Sequence, residues 1–181
     1  MPEGITYKVV RESCTFPQAN PQLQQNKELV AFLSNGCCPP IAHGAPFIEG
    51  MREVLAAASG WIHPWYVSAR PNGLRMVTVS RFKYFNCPWG PMTLVPCATY
   101  GKISGAVWKA GELVRKINMI HGIVEDDARL PFALPADYPH SVFLVGDHYT
   151  KEIAERLATL PFVVMCPTPG DLLREIRNEF A

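Results

Sequence analysis

Long hydrophobic runs are missing from this sequence. The longest strongly apolar stretches, such as Val142–Val145, fall far short of the ~20 residues that cross a bilayer. The first ten residues, MPEGITYKVV, carry no apolar run of the secretory type. The expectation is a soluble, cytoplasmic protein with no membrane partner. No CxxC or HxxxH spacing occurs, so nothing specifies a zinc site, although Cys37, Cys38 and His43 lie close together and Cys87, Cys97 or His63 could join them. Neither GxxxxGK[ST] nor GxGxxG is present, so neither standard phosphate loop can be assigned. No residue pattern names a cofactor. Internal repeats and low-complexity segments are also missing.

Acid is scarce in one place. Between Tyr66 and Lys116 stand eight bases (Arg70, Arg75, Arg81, Lys83, Lys102, Lys109, Arg115, Lys116) against a single acid, Glu112, a local charge of +7 in a chain of net +1. Cations gathered in one segment of a near-neutral chain focus potential and predict an anionic partner. The overall pI of about 7.6 is low for a dedicated nucleic-acid binder, which favours a small anion such as a nucleotide or sugar phosphate.

What is present is ordinary globular material. A hydrophobic content of 48% supports a real core, and 181 residues fit one domain, expected to span 1–181. The six cysteines are expected to be free thiols, because a chain with this much core needs no disulfide framework.

Three regions differ in pattern. In residues 1–60, Thr6–Arg11 reads as a strand. Asn26 can cap a helix that ends at Asn35–Gly36, the CCPPIAHGAP segment reads as a loop, and a helix runs from Pro46 to about Ala58. In residues 61–100, His63–Arg70 and Leu74–Tyr84 flank Pro71–Asn72–Gly73 and read as an antiparallel hairpin. The alternation of its second arm would place Arg75, Arg81 and Lys83 in one row. Met92–Tyr100 reads as a further strand, irregular or at an edge because of Pro96.

Residues 101–181 show three strand–loop–helix steps. Met92–Tyr100 leads into a helix with apolar spacing through Ile103, Val107, Ala110, Val114, Ile117 and His121. Ser141–Val145 leads into Tyr149, Ile153, Leu157 and Leu160. Phe162–Met165 leads into Leu172, Leu173, Ile176 and Phe180. Thr168 with Asp171 forms a near capping box, with Pro169 at the first helical position. Alternating strands and helices predict parallel pairing. The fold expected is α/β: a three-layer, Rossmann-like, mostly parallel sheet, with the hairpin at about 63–84 extending or capping it.

Ligands of such sheets bind beyond the carboxyl ends of the strands. Those ends would be Gly101–Gly105, Gly146–His148 and Cys166–Thr168. Gly101, Lys102 and Ser104 open a helix and could hold phosphate, with Thr168 contributing and with Arg75, Arg81 and Lys83 assisting from the hairpin. Asp147 and His148 pair a carboxylate with an imidazole, as acid–base work requires. Each has a plainer reading, with Ser104 and Asp147 as helix caps. The function expected is a small enzyme, a transferase or hydrolase, acting on a nucleotide or other phosphorylated metabolite. Alternatively, Arg81–Trp89 interleaves cations with aromatics in a way that suits nucleic acid. The acidic run Glu125–Asp127 reads as solvated loop.

The segment Pro139–Gly146, in which His140 opens an apolar strand ending in glycine, resembles the histidine strand of papain-like cysteine proteases. That resemblance implies a cysteine hydrolase with Cys37 or Cys38 as nucleophile, His140 as base and Asp147 as orienting residue.

Overall fold

A computed structural model describes residues 49–60, 62–99 and 102–180. The expected strand at Thr6–Arg11, the helix capped by Asn26 and the Cys37–Cys38 pair lie outside those residues, as does Gly101. The described elements run α1 (Met51–Ala58), β1 (Tyr66–Pro71), a 3-10 turn (Asn72–Leu74), α2 (Arg75–Tyr84), β2 (Met92–Val95), α3 (Gly105–Arg115), a 3-10 turn (Ile117–Met119), β3 (Gly122–Glu125), α4 (Arg129–Ala133), β4 (Ser141–Val145), α5 (Lys151–Leu157), β5 (Val163–Cys166) and α6 (Pro169–Phe180). The described residues are mixed α/β with two small sheets: β1 with β2, and β3-β4-β5, whose two pairings are parallel. The described residues divide into two compact units, one holding 70–86 and 94–99, the other 49–60, 62–69, 87–93 and 102–180.

In the larger unit β4 is the central strand. Ile123 stands opposite Val142, and Val142 opposite Val163. Its side chains alternate between two cores, as a strand's period of two requires. Val142 and Leu144 join Ala110, Leu113, Leu130, Leu157 and Phe162; Phe143 and Val145 join Val54, Cys166, Leu172 and Ile176. Both faces of β4 are therefore dry, which is why SVFLV reads as a continuous apolar run. The first core draws on α3, α4 and α5, the second on α1 and α6.

α3 carries a glycine that the fold does not require. A Cβ built on Gly111 meets nothing within 4 Å. Glycine inside a helix costs about 0.5–1 kcal/mol relative to alanine. Gly111→Ala is therefore expected to stabilise the protein by about that amount in urea denaturation.

The smaller unit corrects the expected hairpin. Its second arm, Leu74–Tyr84, is helical: the 3-10 turn at Asn72–Leu74 runs directly into α2. Within α2 the Thr78 hydroxyl donates to the Leu74 carbonyl at 2.9 Å, an i−4 bond that only a helix makes. The competing signal was in the sequence, since Leu74, Thr78, Phe82 and Phe85 recur at helical spacing, and Leu74 and Thr78 are the buried pair. The β-branched run Val77–Val79 favours a strand, and tertiary burial overrides it. α2 ends at Asn86, whose φ of 51° is the left-handed conformation that closes helices. Its Asn86 N–H donates to the Lys83 carbonyl at 3.0 Å. The strand partner of β1 is β2.

β2 is also shorter than the expected Met92–Tyr100. Pro96 cannot donate to a ladder, and a turn closed by Thr99 N–H to the Pro96 carbonyl at 2.9 Å follows. The helix expected to reach His121 stops at Arg115, and Gly122–Glu125 forms a strand that was not expected, its last residue Glu125 having been read as loop.

Candidate functional site: the carboxyl edge of the parallel sheet

β3, β4 and β5 end at Glu125, Val145 and Cys166 in adjacent register. The loops that follow bring Glu125–Asp127, Gly146–Tyr149 and Pro167–Thr168 to one edge.

Glu125 organises the first loop. Its side chain is 8% exposed, and Lys109 of α3 reaches its Oε2 at 2.5 Å. The other carboxylate oxygen accepts from the backbone N–H groups of Asp126 and Asp127, at 3.2 and 3.3 Å. Burial pushes the Glu125 carboxyl upward and Lys109 opposes that push. Asp127 is held by Arg129 through hydrogen bonds from Nε and Nη2, both at 2.8 Å. Burial works against its ionisation, but the bonds and charge of Arg129 prevail and keep it below the usual carboxylate range.

The β4 loop closes on the β3 loop. Gly146 has φ 115°, a conformation that side chains resist. The Tyr149 hydroxyl donates to the carbonyl of Asp126 at 3.1 Å, with the Val145 carbonyl also at 3.1 Å. The His148 Nε2 lies 3.2 Å from the same Asp126 carbonyl, and the His148 and Tyr149 rings stack with centroids 4.3 Å apart. Burial, then the carboxylates of Asp126, Glu125 and Asp127, raise the Tyr149 pKa, so the phenol keeps its proton. Among the described residues Asp126 and Asp147 have no ion pair. Both are exposed, as is His148.

The structure thus brings Asp147 and His148 to one edge with Thr168. Asp147 does not cap a helix: α5 starts four residues later, with Thr150 as the cap accepting from the Ile153 N–H at 3.3 Å. Thr168 is used locally. Its hydroxyl donates to Asp171 Oδ2 at 2.7 Å and accepts from the Asp171 N–H at 3.2 Å, a reciprocal capping box.

Ser104 caps α3, accepting from the Val107 N–H at 3.2 Å, and Lys102 is exposed in the turn before it. That turn follows the Pro96–Thr99 turn and is not flush with the end of β2. The N-terminus of α3 packs against β1, where a Cβ on Gly105 would meet the Ala69 Cβ at 2.6 Å. The Lys109–Glu125 contact fixes the second turn of α3 at the carboxyl end of β3, and Ser104 is five residues back, roughly 7 Å along the axis.

Arg75, Arg81 and Lys83 do not form a row. On a helix, successive residues rotate by about 100°, so the three point in different directions. Arg81 lies over the Phe85 ring at 4.6 Å, and Arg75 Nε donates to Asn72 Oδ1 at 3.1 Å. The single basic row expected of a hairpin arm is therefore absent from α2.

His140 sits at the opposite end of β4, its Nε2–H donating to the Ile117 carbonyl at 2.9 Å. Seven residues of extended chain, roughly 20 Å, separate it from Asp147, so Asp147 cannot orient its ring. Of the cysteines, Cys87 is half-buried, Cys97 exposed and Cys166 buried, all as free thiols. No group of three or more metal-ligating side chains occurs among the described residues, and no helix among them is long and apolar enough to cross a membrane.

The sequence reading did not assign Glu125, Asp126 or Tyr149 to the site. The available signal was an acidic run directly after the apolar pair Ile123–Val124. No known protein family, no characterised protein and no solved structure matches this chain, so the site rests on its own geometry.

Proposed function

We propose that the larger unit is a three-layer, Rossmann-like α/β fold of a cytoplasmic enzyme, a transferase or hydrolase, that takes a nucleotide or other phosphorylated metabolite at the carboxyl edge of β3-β4-β5. One observation carries the reading. Asp147 and His148 stand at this edge, Asp147 with no ion pair among the described residues, and α3, tied to Glu125 through Lys109, begins at Ser104 beside the exposed Lys102. A nucleotide or sugar phosphate has both complementary parts, an anion and a set of hydroxyls. Lys102 and the α3 N–H groups suit the phosphate. Asp126 and Asp147 suit hydroxyls, because carboxylates accept and do not donate. Glu125 and Asp127 are already committed to Lys109 and Arg129, so they shape the loop and do not repel the ligand as free charges.

Amide shifts of the isotope-labelled protein, recorded against a panel of nucleotides and sugar phosphates, test this reading. The expected result is one ligand class that moves Lys102–Ala106, Asp126 and Gly146–Tyr149 together. A ligand that binds and moves only residues elsewhere sinks the assignment.

A further inference from the structure

We infer that His148 works as a proton acceptor through Nδ1, with the Asp126 carbonyl as the positioning group that fixes its ring. The inference rests on the proposed function for its ligand but not for its geometry. A backbone carbonyl has no proton to give, so the 3.2 Å contact at Asp126 requires the hydrogen to be on Nε2. A neutral imidazole carries one N–H, which leaves Nδ1 with its lone pair free. Backbone carbonyls orient histidines in this way wherever one ring nitrogen must be kept basic.

A second feature points the same way. A Cβ on Gly146 would stand 2.6 Å from Nδ1 and 2.8 Å from Cε1 of His148. The glycine, already required by its φ of 115°, keeps the space beside Nδ1 clear. Stacking on Tyr149 holds the ring from one face.

The groups around His148 define the matching ligand end. The β3 loop contributes Glu125, Asp126 and Asp127, and the β4 loop contributes Asp147 and Tyr149. Asp126 and Asp147, which have no ion pair among the described residues, are acceptors, as is Nδ1. The complementary end of the ligand is therefore a hydroxyl, such as that of a ribose or sugar ring, and the phosphate lies away from His148. In the step this permits, the hydroxyl O–H bond breaks as the Nδ1–H bond forms. The electron pair stays on the ligand oxygen, which becomes the nucleophile.

The tautomer can be read on the whole, ligand-free protein by long-range nitrogen–proton correlation of its labelled histidines, above their titration range. His63 and His121 are exposed and serve as internal references, and His140, bonded to the Ile117 carbonyl, as positive control. The expected result is an Nε2–H excess at His148 roughly fivefold above the exposed pair, the ratio given by one net hydrogen bond of about 1 kcal/mol. In Gly146→Ala that excess should collapse to the reference value as the ring is displaced. A wild-type ratio equal to that of His63 and His121 overturns the inference even if a ligand is found. A panel with no ligand would overturn the proposed function and leave the tautomer as measured.

Discussion

Lys109→Met is expected to destabilise the protein by about 3–5 kcal/mol at neutral pH, far more than an average ion-pair loss. The reason is Glu125. Its side chain is 8% exposed, that of Lys109 14%, and they meet at 2.5 Å. Removing the cation strands a carboxylate in a place where burial already raises its pKa. Breaking a buried pair costs about this much because the remaining charge is uncompensated. The effect has a sign in pH. With Lys109 gone, the folded-state pKa of Glu125 rises further above its unfolded value. The protonated form is then the one the fold tolerates: stability is retained below the unfolded pKa and lost as pH rises through the folded one. The variant should therefore recover part of its deficit on going from neutral pH toward pH ~4.3, the ordinary value for glutamate. Adding Glu125→Gln to Lys109→Met should restore much of the loss at neutral pH. Denaturant melts of the four proteins of this cycle measure both claims. A loss of less than about 1 kcal/mol, as exposed pairs show, would contradict them.

That pair also shows how far the sequence could be read. Lys109 was visible as one cation among eight, and Glu125 as one acid in a run of three. Nothing local links them, since they are held together by the packing of α3 on β3. The elements of the larger unit with strong periodicity were legible: α6 with its capping box, the apolar β4 and β5, and the loop Gly146–His148 at a strand end. β3 was not, because four residues ending in glutamate carry almost no periodic signal. α2 was misread because Arg75–Tyr84 satisfies a period of two as well as a period of 3.6, and its β-branched residues tipped the balance. The site followed the same division. Asp147 and His148 announced themselves by type and place. Tyr149 was taken only as an apolar helix position, and its role depends on a contact with Asp126, 23 residues away.

Phe143→Ala is the second large loss, about 3–5 kcal/mol, the range for deleting a fully buried ring. Phe143 is 1% exposed at the middle of β4. It packs with Val54, Val145, Cys166, Leu172 and Ile176, and meets Phe180 edge-on with centroids 6.2 Å apart. Neighbours from four elements cannot all collapse into the space it leaves, so a cavity remains. Phe143→Leu, which keeps most of the volume, should cost clearly less. The two differ from Lys109→Met in being insensitive to pH between about 5 and 8, because burial pushes the neighbouring Cys166 thiol up to about 11, above that window. Urea unfolding reads the difference directly. A Phe143→Ala loss under about 1.5 kcal/mol would mean that the second core is not the one described.

The carboxyl edge of β3-β4-β5 is proposed to take a phosphorylated small molecule. The most direct measurement is a thermal-shift panel of nucleotides and sugar phosphates at one salt concentration, run on wild type and on Lys102→Ala. A ligand that binds only the folded chain must raise its melting temperature. The predicted result is a shift with one phosphorylated class in wild type and affinity reduced by roughly tenfold or more in Lys102→Ala, the loss of one charged hydrogen bond. A shift that is unchanged in Lys102→Ala, or no shift with any member of the panel, would contradict it.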